Sequence, residues 1–201
     1  MKLAILISGR GSNLDSILRA IAERRLDATP TLVLTNRPGA GGLEHARRHG
    51  VATAVLPHRD YADRQAYDAA LVSLLREHGV DTVALAGFDR LVTPVLLGAF
   101  PGRVLNIHPA LLPAFPGLHA QRQALEYGAR VTGATVHFVD EQMDHGAIIA
   151  QAAVPVLDGD SEETLAARIL VEEHRLYPLA LQRLARGELR LAGRRVVGGE
   201  P

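Results

Sequence analysis

The 201-residue chain contains no cysteine. That removes disulfides, thiolate zinc centres, iron–sulfur ligation and cysteine nucleophiles together, so any chemistry falls to His, Asp, Glu, Asn, Ser or the backbone. Net charge is also missing: 22 basic residues balance 22 acidic ones, and no block of like charge exceeds a few residues. A nucleic-acid surface therefore has no electrostatic support, and a small ligand is the expected partner. Lys2 is the only lysine, which excludes a lysine Schiff base unless Lys2 serves. No apolar run approaches the roughly 18 residues needed to span a bilayer. The first apolar run, KLAILI, is too short for a secretory signal and leads straight into a glycine turn. No membrane partner and a cytoplasmic location are expected.

What is present is an ordinary globular composition, 47% hydrophobic and 22% charged, enough for one sizeable α/β core. Residues 3–7 (LAILI), 31–35 (TLVLT), 53–56 (TAVL), 81–88 (DTVALAGF) and 103–107 (RVLNI) read as strands. The first four are followed by turn signals or helical periodicity, as at Leu14, Ile17, Leu18 and Ile21, or in residues 43–49 and 61–78. Such alternation implies right-handed βαβ units over about the first 110 residues. Residues 132–139 and 147–156 lie close together without a long helix between them and are expected to pair antiparallel. Asp160 and Glu163 suggest an N-cap and N3 pair for a helix running from 161 towards 186, which Pro178 should kink or divide. The fold class expected is α/β: an open, mostly parallel, Rossmann-like twisted sheet with an antiparallel C-terminal strand pair and a C-terminal helix. The glycine-rich residues 191–201 read as a flexible tail.

The turn SGRGSN (8–13) lies between a strand and a helix, where free backbone N–H groups favour an anion. It is not a dinucleotide fingerprint, because Leu14 occupies the third glycine position and the second strand ends in Thr35-Asn36 with no acid for a ribose hydroxyl. A turn suited to one terminal phosphate remains, with Gly11, Ser12 and Asn13 donating and Arg10 adding charge. A plain tight turn opening a helix is the simpler alternative.

Asn106 and His108, in VLNIHPALLPAF, sit two apart at the C-terminal end of a strand, so their side chains share one side. That end is where open α/β sheets bind ligands. An amide N–H and an imidazole together can stabilise an oxyanion and move a proton; the alternative is a core histidine bonded to backbone. Pro109, Pro113 and Pro116 would stiffen the loop that follows. HFVDEQMDHG (137–146) supplies Asp140, Glu141 and Asp144. Either Asp140 or Asp144, placed against His108, would favour the imidazolium. A metal site built from His108, His119, His137 and Asp144 is the weaker reading, since no two of these show tight ligand spacing; no metal is expected.

Taken in order, ISGRGSNL, LAGFDRL, NIHPALLPAFPGLHAQRQAL, GATVHFVDEQMDHGAIIAQ and EEHRLYP resemble the phosphoribosylglycinamide formyltransferase family, folate-dependent enzymes of purine synthesis. The resemblance runs from residue 1 to about 190. It implies the formyltransferase fold, 10-formyltetrahydrofolate as donor co-substrate and the amine of glycinamide ribonucleotide as acceptor. It also implies one domain over 1–190, with a phosphate- and nucleotide-binding half (1–110) and a folate-binding half (111–190), acting as monomer or homodimer. Asn106, His108 and Asp144 match the family's catalytic residues. Gly11, Ser12 and Asn13 match its phosphate turn, and Glu173 an acid that contacts the ribonucleotide. Arg64, Asp89, Arg90, Leu91, Val92, Asn106, Asp140, Glu141, Gln142, Met143 and Asp144 match the folate site, with Leu85, Leu91 and Val92 lining a pterin pocket.

Three positions depart from the family pattern. Asp89 stands where relatives usually carry methionine, Arg10 replaces a small or amide residue, and Leu170 offers no polar group at the ribonucleotide site. The closest rival is formyltetrahydrofolate hydrolase, which normally carries a further N-terminal regulatory domain. Methionyl-tRNA formyltransferase fits less well, because no C-terminal tRNA-binding domain is seen and net charge is zero. A non-catalytic nucleotide- or folate-binding module would be expected to have lost the Asn106, His108 and Asp144 set.

Overall fold

A computed structural model describes residues 1–198. The chain divides into two compact units, residues 1–106 and the residues from 107 onward.

The first unit contains β1 (Lys2–Ile7), α1 (Ser12–Ala22), β2 (Thr29–Thr35), α2 (Leu43–Arg48), β3 (Thr53–Val55), α3 (Arg64–Glu77), β4 (Thr82–Leu85), α4 (Pro94–Ala99) and the start of β5 (Val104–His108). The strands lie in the order β3-β2-β1-β4-β5 and all pair parallel. The register sets Ile5 beside Val33 on one side and Ala84 on the other, and Leu85 beside Asn106. Leu3, Ala4, Ile5, Leu6 and Ile7 are all fully buried, as expected of a central parallel strand covered on both faces. The chain leaves β1 towards β2 and later returns to β4 on its other flank, so the order reverses between β1 and β4. Crevices at the carboxyl ends of strands at such a reversal are where ligands bind.

The second unit contains α5 (Ala120–Tyr127), β6 (Val131–Phe138), β7 (Ile148–Pro155), α6 (Glu162–Ala185), β8 (Arg190–Ala192) and β9 (Arg195–Val197). β6 and β7 pair antiparallel, with Thr135 opposite Gln151 and a register slip between Val136 and His137. α6 lays Leu165, Ile169, Leu176 and Leu181 into the core.

Local structure departs from the sequence reading in four places. The α6 cap is Ser161, whose side chain accepts from Thr164 N while Thr164 Oγ1 accepts from Ser161 N. Asp160 is not the cap; its carboxylate is taken by Leu157 N and by Arg168 at 2.7 and 2.8 Å. Pro178 does not divide α6, which runs on for a further seven residues to Ala185. α3 begins at Arg64, not at 61, because Asp63 caps it by accepting from Ala66 N at 2.8 Å. Residues 190–197 form the antiparallel β8–β9 hairpin where a flexible tail was expected; residues 199–201 of that stretch lie outside the described residues.

Candidate active site

In the first unit the turn after β1 is held by close backbone contact. Gly11 adopts a left-handed conformation with φ 77°, and a Cβ there would meet the Gly42 Cα at 2.7 Å. Gly42 N donates to Gly9 O at 3.0 Å. α1 then starts at Ser12, with no side chain capping it, which leaves N-terminal amides of the kind that receive an anion. Asn13 is buried and Arg10 exposed.

Asp89 engages this turn. Ser8 Oγ lies 2.6 Å from Asn36 Oδ1 and 2.7 Å from Asp89 Oδ1, its single proton serving one acceptor at a time. Asn36 Nδ2 donates to Asp89 Oδ1 at 2.8 Å, Asp89 N donates to Ser8 Oγ at 2.9 Å, and Arg37 pairs with Asp89 Oδ2. Burial works to raise the Asp89 carboxyl, but the bonds from Ser8, Asn36 and Arg37 outweigh it and hold the group below its ordinary value. Of the other residues assigned to the folate site, Leu91 is exposed, Val92 is half-buried and Arg64 is exposed at the first position of α3. Leu85, assigned to the pterin pocket, is buried at the end of β4. Arg90 is half-buried, with a buried Nε that has no hydrogen-bond partner. Asn106, half-buried, closes this unit in β5.

His108, two residues further along β5, belongs to the second unit and is 4% exposed. Its two ring nitrogens face different oxygens. Nε2 lies 2.8 Å from the Phe115 carbonyl oxygen, and Nδ1 lies 3.3 Å from Asp144 Oδ2. A carbonyl and a carboxylate both only accept, so each ring nitrogen faces an acceptor. Phe115 (φ 54°) and Asp144 (φ 51°) both adopt left-handed backbone conformations. Such conformations cost about 1–2 kcal/mol in non-glycine residues. Both oxygens that meet the ring are thus delivered by unfavourable backbone, a pattern found at functional sites.

Asp144 is anchored besides this. Its Oδ2 accepts from Gly117 N at 2.7 Å, and its Oδ1 lies 3.8 Å from His137 Nε2. His137 donates from Nδ1 to the Phe138 carbonyl oxygen at 2.8 Å. Burial lowers the pKa of His137, and the positive charge of His108 adds to this against the opposing Phe138 carbonyl and Asp144 carboxylate. Asp140 lies away from His108 and pairs with His145 Nδ1 at 2.8 Å. Glu141, Gln142 and Met143 are exposed, and Glu173 is buried in α6.

Two further side chains pin the proline loop and were not picked out from the sequence. Thr135 Oγ1 donates to Ala110 O at 2.6 Å and accepts from Leu112 N, while Gln151 Nε2 donates to Leu112 O at 2.9 Å. The available signal was period two on β6, which puts Thr135 and His137 on one side. His119, weighed as a metal ligand, lies instead 3.8 Å from Glu162. Among the described residues no group of three or more His, Asp or Glu is disposed to hold a metal ion.

Residues 1–181 match the family model described as formyl transferase. Over 191 residues the chain is 44% identical to the phosphoribosylglycinamide formyltransferase of Escherichia coli (strain K12), covering 95% of this chain and 90% of that protein. It is 48% identical to a trifunctional purine biosynthetic protein adenosine-3 of Drosophila pseudoobscura pseudoobscura, of whose length it spans 14%. The crystal structure of glycinamide ribonucleotide transformylase 1 from Symbiobacterium toebii superposes with a TM-score of 0.98 at 52% identity, covering all of this chain and 94% of that one. The chain belongs to the formyl transferase family.

Proposed function

We propose that this chain transfers the formyl group of 10-formyltetrahydrofolate to the amine of glycinamide ribonucleotide in the cytoplasm, as a step of purine biosynthesis. A folate-derived formyl donor follows from the family, and the relatives that match this chain along nearly their whole length carry the transferase name. Hydrolase activity finds no support among them. The observation that carries the chemistry is the buried His108 between the Phe115 carbonyl and the Asp144 carboxylate.

In this reading the ribonucleotide phosphate binds the amides of Gly11, Ser12 and Asn13, and Glu173 contacts the acceptor. The donor meets Arg64, residues 89–92 and residues 140–144. The acceptor amine attacks the formyl carbon directly, and Asn106 and protonated His108 donate to the developing oxyanion. His108 Nε2–H exchanges the Phe115 carbonyl for the substrate oxygen as this happens. Asp144 keeps the ring charged and oriented, the ring or a water supplies the proton that leaves with the folate nitrogen, and the proton shed by the acceptor amine replaces it. Alignment of two bound substrates supplies much of the acceleration.

Incubation with 10-formyltetrahydrofolate, with and without glycinamide ribonucleotide, tests the reading. Formyl loss is expected only with the ribonucleotide present. Loss without it would make the chain a hydrolase, and no loss under either condition would make it a binding protein.

A further inference from the structure

A contact reaches the acidic loop from the C-terminal hairpin. Arg194, in the turn between β8 and β9, donates from Nη2 to the His145 carbonyl oxygen at 2.7 Å, and its Nη1 lies 2.7 Å from His145 Nε2 and 3.0 Å from Nδ1. The proton positions follow from what each group can do. Asp140 accepts at 2.8 Å from His145 Nδ1, so that nitrogen carries the hydrogen. Nε2 is then a lone pair, and a guanidinium, which only donates, satisfies it. Arg194, His145 and Asp140 are thus linked in sequence, with main chain and side chain of His145 both contacted by the same guanidinium.

Asp144 lies inside the segment closed by this chain, immediately before His145 and four residues after Asp140. Its left-handed backbone, φ 51°, persists only where the surroundings hold it. Behind it, Gly146 packs so closely that a Cβ would stand 1.7 Å from the Phe138 carbonyl oxygen, leaving the far side of the turn little room to relax.

We propose that Arg194 is a positioning residue for formyl transfer: acting through His145, it holds segment 140–145 in the conformation that sets Asp144 against His108. The inference rests on the role given to Asp144 above. Exposed charged contacts add little to stability by themselves, so the effect belongs to catalysis, where misplacement by about 1 Å costs on the order of 10²-fold.

The test compares Arg194→Ala, Arg194→Lys, His145→Ala, the Arg194→Ala/His145→Ala double variant and Asp144→Asn in the full chain. Steady-state kinetics use both substrates, and hydrogen exchange is followed at amides 140–146. Arg194→Ala is expected to lower kcat about tenfold or more, leave the KM for the ribonucleotide and the melting temperature near wild type, and speed exchange across 140–146. Arg194→Lys, which keeps one donor, is expected to recover part of kcat. The double variant should be no worse than the poorer single, as for residues acting in one chain. Unchanged kcat in Arg194→Ala beside an impaired Asp144→Asn would overturn the positioning role alone, as would additive losses in the double variant. Full activity in Asp144→Asn would overturn the catalytic reading, and this inference with it.

Discussion

Asp144 Oδ2 stands 3.3 Å from His108 Nδ1, and the same oxygen accepts the Gly117 amide at 2.7 Å. The carboxylate is therefore tied to the proline loop as well as placed against the ring.

His108→Ala is expected to lower kcat by about 10²-fold or more, the usual consequence of removing one oxyanion donor. Asp144→Asn should lower kcat and move the alkaline limb of the pH–rate profile to lower pH, because the mechanism uses the protonated ring and the amide no longer favours it. Formyl-transfer rates measured from pH 5 to 9 decide both, and near-wild-type turnover in His108→Ala would remove that residue from the mechanism.

The pH dependence of stability should report on His137. Its folded pKa is lowered from the ordinary 6.5 chiefly by burial, so the unfolded chain takes up the proton more readily than the folded one. Its contribution is present above about pH 6.5 and is lost as pH falls through the lowered folded value. In His137→Gln the slope of melting temperature against pH should be shallower just below 6.5 than in wild type. Thermal melts across pH 5 to 8 supply the comparison, and parallel curves would contradict it.

Gly11→Ala should act on the acceptor alone. The new Cβ collides with the Gly42 backbone and forces a left-handed alanine, displacing the amides proposed to receive the phosphate. The KM for the ribonucleotide is expected to rise about tenfold or more, equivalent to about 1.4 kcal/mol or more of binding. The folate KM should change little; equal increases in both would point to general misfolding.

Ser161→Ala removes the side chain that caps α6. A cost of about 1 kcal/mol is expected, read as a fall in melting temperature of roughly 2–4 °C for a chain of this size. Asp160→Asn probes the rejected cap and should leave the Ser161–Thr164 bonds in place. A larger effect of Asp160→Asn on helix content would reverse the assignment.

Local pattern accounted for much of the architecture and part of the site. A continuous apolar run such as LAILI can be buried only where both faces are covered, and alternation with helical periodicity restricts it to a parallel sheet. Period two was enough to pair Asn106 with His108 on β5, and a glycine turn before α1 was enough to expect an anion. Neighbouring polar residues were harder to separate. Asp160 and Ser161 are both good caps by composition, and only the observed backbone gave the role to Ser161.

Asp140 and Asp144 are alike in charge, four residues apart, and nothing local distinguishes them as partner to His108. The tertiary structure separates them: the turn through left-handed Asp144 aims one carboxylate at the buried ring, while Asp140 is taken by His145 and, through it, by Arg194. Residue types and their spacing thus placed an amide and an imidazole together at one strand end, and the family resemblance pointed to the reaction. Which carboxylate meets the ring, and that the C-terminal hairpin meets the loop carrying it, depended on contacts between residues about 36 and 49 positions apart, for which short-range periodicity carries no information.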